Sequence, residues 1–484
     1  MKRKKNTETQ QLPHPLVAVL PIVTLMLLIA LMVKLFGADA LSGGSQVALL
    51  LSAGLTLLLS SVLYHMPWST FTTALQQTIG NTSEPIFILL IIGMLGGTWM
   101  ISGAVPTLIC YGVQVMSPRF FLVTSCLICA VISVLTGSSW STIATIGVAL
   151  IGIGTVLGVS PAWSAGAIIS GAYFGDKVSP LSDTTILASS TSGTELFTHI
   201  RYMLRTTIPS FTIALIVFLM VGLLTDTTGA IDVDTYVNGL KSTFHISPLT
   251  LIVPVLTAVM IALRIPSLVT LFVSSLAGGV AAIILQPQLL VEITGNGDGS
   301  FMTLLQGMLM TLFTSTSVQT GNALLDDLVA TGGMAGMLDT VWLIMCALFF
   351  GSTMVASRML QSITLMLIRL VKRTVGLVSS TVATGLVMNI CSGDQYMSII
   401  LTTSMFKDVY RDKGYEPRLL SRTAEDAVTV TSVLIPWNTC GMTQSTVLGV
   451  PTVVYLPCCV FNYLSPLMSI LVAAIGWGIR KREK

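Results

Sequence analysis

Two long stretches without a charged residue set the fold class of this chain. Residues 120–175 and 427–479 contain no Asp, Glu, Lys or Arg. A helix needs about 20 mostly apolar residues to cross the hydrocarbon core of a bilayer, so each stretch is long enough to cross at least twice. Only 9% of all residues are charged, against about one-quarter in soluble globular chains. The sequence therefore predicts an all-α polytopic membrane protein.

Apolar runs punctuated by Pro, Gly and charges predict about 11 to 14 transmembrane segments, some of them short or re-entrant. No connecting segment is long enough to bury a core of its own, so we expect neither a soluble catalytic module nor enzyme activity. The four histidines lack ligand spacing and the eight cysteines lie almost entirely in apolar segments, so we expect no metal cofactor and no disulfide framework. Basic residues at 2–5 and 480–482 place both termini in the cytoplasm. The small net charge of +3 argues against a nucleic-acid partner.

A weak internal repeat organises the chain. Gly393 and Pro436 follow Gly137 and Pro180 by the same 256 residues, although Gly and Pro also recur by chance in membrane helices. A true repeat fits a widespread membrane-protein architecture of two inverted halves with discontinuous helices and re-entrant hairpins, and a site at their interface. Inverted rather than parallel halves are expected only by that analogy. The predicted organisation is N-terminal spans and a connector (1–84), a first repeat (85–225) with a polar break at 175–185, linking loops and spans (226–340), a second repeat (341–479) with a polar break at 435–441, and a cytoplasmic tail (480–484).

The first polar break directly follows a long uncharged run. It carries Asp176, Lys177 and Asp183 around a proline, with the hydroxyls of Ser179 and Thr184. A charge at bilayer depth is costly, and broken helices survive there only when they line a cavity or are buried in protein. Carboxylates, hydroxyls and free carbonyls are the oxygen ligands of hard cations. The break therefore predicts a Na⁺ site at Asp176 and Asp183; the alternative is a polar cytoplasmic loop.

The second polar break, at 435–441, has no charge or loop length on either side. Asn438 and Thr439 stand where the repeat places Ser182 and Asp183 of the first break. Their oxygens are predicted to complete the site.

A pair of acids precedes the second break. Glu425 and Asp426 lie well inside the span if the helix begins near Arg418, given a rise of about 1.5 Å per residue. The alternative is a pair at the membrane surface that forms salt bridges with Arg422 or Arg418.

The repeat aligns two polar turns, at 136–139 and 392–395. Both are predicted to be tips of re-entrant hairpins. Ser138 lies in the first, and Asp394 is a lone acid in the second. An isolated intramembrane acid is a functional candidate, with a helix N-cap as the competing interpretation.

Several blocks together resemble the NhaC-type sodium/proton antiporters, a family that includes malate/lactate exchangers. The similar blocks are 170–185, 332–334, 393–399, 425–426 and 434–441. Two departures are Ile186, where the family usually has Asn after Asp-Thr-Thr, and Val178, where Met is common. The first removes one potential amide ligand and leaves the choice of substrate open.

The resemblance implies the ion-transporter superfamily fold, with scaffold and transport parts, a homodimer in the lipid bilayer, and elevator-like movement. The expected activity is Na⁺/H⁺ antiport in the bacterial inner membrane, without a cofactor. We expect the two ions to compete for Asp176, Asp183 and one of Asp394 and Asp426. Lys177 and Glu425 are candidates for coupling. The alternative is exchange of a small organic anion, such as malate or lactate, with Na⁺ or H⁺.

Overall fold

The computed structural model describes residues 12–36, 43–224, 233–320, 323–369, 371 and 373–479. The basic residues at 2–5 and the predicted tail at 480–484 lie outside this part. Within it all regular secondary structure is helical, apart from a single antiparallel bridge between Thr316 and Thr331. This agrees with the predicted all-α class.

The α-helices are numbered in chain order. Those of the first half are α1 (Pro15–Phe36), α2 (Gly44–Tyr64), α3 (Trp68–Ile101), α4 (Ala104–Val115), α5 (Phe121–Thr136), α6 (Ser139–Thr142), α7 (Val148–Val156), α8 (Pro161–Val178), α9 (Asp183–Ser192), α10 (Leu196–Leu224), α11 (Val233–Thr243) and α12 (Ile252–Ala262). The remainder are α13 (Ser267–Leu285), α14 (Pro287–Thr294), α15 (Phe301–Phe313), α16 (Ala323–Val329), α17 (Leu338–Ala356), α18 (Met359–Arg369), α19 (Thr374–Ser392), α20 (Gln395–Asp412), α21 (Pro417–Ala424), α22 (Thr439–Leu448), α23 (Thr452–Tyr455) and α24 (Val460–Ile475).

In the described ranges, 9 helices are long and apolar enough to cross a membrane, or up to 11 if two strongly bent helix pairs each count as one span. The bent pairs turn by 85° and 56° at their breaks. This confirms a polytopic helical membrane protein with discontinuous helices. Helix α3 has 34 residues and is therefore about 51 Å long. It extends through most of the predicted connector into the predicted first repeat.

Close packing of α8 on α5 fixes the position of the first break. A Cβ added at Gly171 would lie 2.1 Å from the carbonyl oxygen of Cys126, and one at Gly175 would lie 2.4 Å from that of Ala130. Ser133 of α5 also donates a 2.6 Å hydrogen bond to a carbonyl of α8, that of Ala172. Small residues let membrane helices approach this closely, and here they bury the end of α8.

The two halves of the chain share local geometry at the 256-residue offset. Gly137 and Gly393 both end a helix with a positive φ, of 69° and 64°. Helices α9 and α22 each have 10 residues and begin at matching positions. Both follow an extended residue whose side chain accepts a backbone hydrogen bond, Ser182 before α9 and Asn438 before α22. These matches support the repeat, whereas its domain boundaries and inverted orientation stay predictions.

A candidate cation site between the two helix breaks

Asp176 lies at the end of α8 and is 6% exposed. Its Oδ2 accepts hydrogen bonds from the backbone N and the Oγ of Ser139, at 3.1 and 2.6 Å. Its Oδ1 accepts from Ser182 Oγ at 2.6 Å. The carboxylate thus joins the first hairpin tip to the first break. No described Lys, Arg or His lies within ion-pair distance of it.

A chain of hydroxyl groups leads from Asp176 to a second buried acid. Ser182 Oγ and Thr184 Oγ1 are 3.0 Å apart, and Thr184 Oγ1 donates to Glu425 Oε1 at 3.2 Å. Glu425 is fully buried, and its Oε2 has no hydrogen-bond partner among the described residues. It begins a π-helical turn, Glu425–Thr429, and such turns are frequent at functional sites. Two acids, one in the first break and one in the turn before the second, therefore lie at the two ends of one chain of hydroxyls.

Asp426, next to Glu425, has its charge matched within the protein. It forms an ion pair with Lys177, and both side chains are fully buried. Its Oδ1 also accepts from Thr206 Oγ1 at 3.1 Å, and its Oδ2 lies 3.7 Å from Nε of the buried Arg422. The contact with Arg422 that the surface alternative includes is therefore present, and both acids are buried within the protein.

A cavity of about 630 Å³ gives access to the first break. Asp176, Asp183 and Thr184 line it, and Asp183 is exposed to it. Further polar and aromatic groups in its wall are Asn81, Glu84, Thr136, Ser138, Trp140, Ser141, Arg264, Ser267, Thr270, Gln395 and Tyr396. Four residues predicted for the first half of the site therefore lie around one water-accessible cavity: Ser138, Asp176, Asp183 and Thr184.

The remaining candidate of the first break has a structural contact. Ser179 Oγ donates to the carbonyl of Val134 at 2.8 Å and accepts from the backbone N of Leu181 at 3.2 Å. It fixes the turn between α8 and α9.

The candidates of the second half cap helices and tie the second break to the second tip. Asp394 accepts from the backbone N of Met397 at 2.8 Å, which is the N-cap geometry. Asn438 accepts from the backbone N of Cys440 at 3.1 Å. The backbone N of Thr439 donates to the carbonyl of Gly393 at 2.8 Å. These three residues do not line the cavity.

Sequence reasoning missed several residues of the site. Ser139 follows the predicted Ser138 and could have been found from the tip. Thr206 and Ser465, which contact Asp426 and Lys177, do not differ by sequence from other hydroxyl residues of their helices and give no local signal. Glu84 and Arg264 reach the cavity from outside both breaks.

Residues 171–477, which contain both breaks, match the model of the Na⁺/H⁺ antiporter family. The chain belongs to this family. It is 39% identical over 421 residues to the Na⁺/H⁺ antiporter NhaC of Alkalihalophilus pseudofirmus, covering 86% of this chain and 87% of that protein. It is 34% identical over 434 residues to the malate-2H⁺/Na⁺-lactate antiporter of Bacillus subtilis, covering 89% of both. It is 32% identical over 470 residues to the arginine/ornithine antiporter ArcD of Halobacterium salinarum, covering 96% of this chain and 93% of that protein.

The protein is therefore a multi-pass membrane antiporter, as expected from the sequence. These relatives are secondary transporters rather than enzymes, which confirms the predicted functional class.

Proposed function

We propose that the protein exchanges Na⁺ for H⁺, and that the two ions compete for Asp176. The observation that supports this most is the setting of that carboxylate. It is buried at the wall of a polar cavity, and its partners are two hydroxyls and one amide rather than a cation.

Burial makes an unpaired charge costly, so such a carboxylate is stabilised by binding a proton or a small cation. Hard cations prefer carboxylate and hydroxyl oxygens. Ser139, Ser182 and Thr184 present hydroxyls around Asp176, and a hydroxyl can turn from donating a hydrogen bond to offering its oxygen. A proton and Na⁺ cannot occupy the same carboxylate at once, so uptake of one ion requires release of the other.

Two further acids have different roles. Asp183 is exposed to the cavity and attracts Na⁺ toward the buried carboxylate. Asp426 is neutralised by Lys177 and holds the two breaks together while ions exchange. In this proposal the joined breaks belong to the moving part of an elevator-like homodimer in the inner membrane, with both termini in the cytoplasm.

Exchange of a small organic anion is the alternative, and the malate/lactate relative is consistent with it. The cavity wall opposes it, because three acids, Glu84, Asp176 and Asp183, face one Arg264. An anion entering this space meets more repulsion than attraction.

Proteoliposomes with an imposed pH gradient distinguish these activities. We expect Na⁺ to dissipate the gradient, and the Na⁺ concentration for half-maximal rate to rise as the pH falls. Malate or lactate alone should leave the gradient intact. Dissipation that requires malate or lactate would contradict Na⁺/H⁺ antiport and support organic-anion exchange.

A further inference from the structure

Three arginines surround a single tyrosine at one end of the helix bundle. The guanidinium carbons of Arg205, Arg418 and Arg422 lie 5.1, 4.9 and 5.0 Å from the ring centre of Tyr202. Tyr202 and Arg205 belong to α10, and the other two belong to α21. These four residues are called the Tyr202 cluster below.

The positive charge of the Tyr202 cluster is only partly balanced. Arg205 donates to the carbonyl of Gly478 at 3.0 Å, and a carbonyl carries no full charge. Arg418 pairs with Glu416. Among the described residues, the only acid within ion-pair distance of Arg422 is Asp426, and that acid is already paired with Lys177. The cluster therefore carries excess positive charge.

Arg422 supplies hydrogen-bond donors that a ligand with several oxygens would satisfy. Its side chain is fully buried, and none of its three guanidinium nitrogens has a hydrogen-bond partner among the described residues. Buried donors without acceptors cost free energy, whereas a ligand that accepts several N–H groups removes that cost. Arg418, with a side chain 22% exposed, connects the buried guanidinium with the outside.

We propose that the Tyr202 cluster binds an anion with phosphate chemistry. Tetrahedral phosphate oxygens accept charge-assisted hydrogen bonds from several guanidinium groups at once. By the positive-inside rule this basic end faces the cytoplasm, where both free phosphate and anionic lipid headgroups occur. An anion bound there attracts the guanidinium group of Arg422, which lies beside the Lys177–Asp426 pair. The cluster is therefore an anion site separate from the cavity.

The test compares two single charge removals. Arg418→Gln removes a cluster arginine that is partly exposed, so the variant is expected to fold. Arg201→Gln is the matched control, because Arg201 is an exposed arginine of the same helix as Tyr202 and lies outside the cluster. Calorimetric titration with inorganic phosphate in uncharged detergent tests the free anion. Native mass spectrometry from phosphatidylcholine vesicles with and without phosphatidylglycerol tests the headgroup.

We expect Arg418→Gln to weaken binding of at least one of these anions about tenfold, the loss of about one charge-assisted hydrogen bond, and Arg201→Gln to leave it unchanged. Binding of phosphate alone assigns the cluster to a free anion, and binding of phosphatidylglycerol alone assigns it to a lipid. The proposal is overturned if neither anion binds the unaltered protein. It is also overturned if both variants bind equally well, because the attraction is then not specific to the cluster.

Discussion

Lys177 and Asp426 form a fully buried ion pair between residues 249 positions apart in the chain. Lys177 belongs to the last turn of α8, within the first break, and Asp426 lies in the π-helical turn that leads toward the second. The pair therefore connects the two halves of the proposed ion site. Arg422, 3.7 Å from the free oxygen of Asp426, adds a second positive charge on the other side.

Removing the acid of this pair should destabilise the protein more than removing the lysine. Asp426→Asn leaves Lys177 and Arg422 both buried without their ion-pair partner among the described residues, and such a loss typically costs about 3–5 kcal/mol. Lys177→Met leaves Asp426 with Arg422 and should cost less. Thermal unfolding of the purified protein in detergent measures both.

The exposed pair between Arg411 and Asp408 is the control, because its side chains are 61% and 70% exposed. Solvent screens such pairs, so Arg411→Met should change the unfolding temperature little. If Asp426→Asn and Arg411→Met lower the unfolding temperature equally, the buried ion pair stabilises the protein no more than the exposed one does.

Asp176→Asn should abolish Na⁺-dependent proton movement, because an amide cannot exchange a proton for a cation. Asp183→Asn should instead raise the Na⁺ concentration for half-maximal rate and leave measurable exchange, because it is Asp176, not Asp183, that accepts the hydrogen bonds of Ser139 and Ser182. Both are measured in proteoliposomes with a pH-sensitive dye. Full exchange by Asp176→Asn would remove that residue from the ion site.

The hydroxyl of Thr184 is expected to matter through its oxygen. Thr184→Val removes its contacts with Ser182 and Glu425 at nearly constant volume, whereas Thr184→Ser keeps them. Losing one such contact should weaken Na⁺ binding about tenfold, equal to about 1.4 kcal/mol. The Ser variant should bind nearly as the unaltered protein does. Similar binding by Thr184→Val and Thr184→Ser would exclude the hydroxyl from the site.

The sequence was sufficient for the helical class, for the first break and for the family. Asp176 and Asp183 could be identified because charges are rare in apolar sequence. The 256-residue offset could be detected because Gly and Pro have strong backbone preferences. The same offset aligns Ser182 with Asn438, and both residues cap helices in the structure.

Long-range partners could not be predicted. Nothing near Lys177 in the sequence indicates that its partner is Asp426 rather than Asp176 or Asp183, because the choice depends on how α8 packs against the second half. Ser465 and Thr206 contact this pair, and neither differs by sequence from other hydroxyls in membrane helices. Asp394 illustrates the converse: a lone acid in apolar sequence is conspicuous, yet its Oδ1 caps α20.

The position of the first break depends on the close contact between α8 and α5, and this contact can be tested at one glycine. Gly171→Ala adds a Cβ that would lie 2.1 Å from the carbonyl oxygen of Cys126, so the two helices must separate. Overpacking of this kind costs about 1–3 kcal/mol. Gly80→Ala is the control, since nothing lies within 4 Å of the added Cβ in α3, and it should stabilise the helix slightly. Because α8 carries Asp176, Gly171→Ala should also slow Na⁺/H⁺ exchange in proteoliposomes, and Gly80→Ala should not. If Gly171→Ala lowers neither the unfolding temperature nor the exchange rate, close packing of α8 on α5 does not position the ion site.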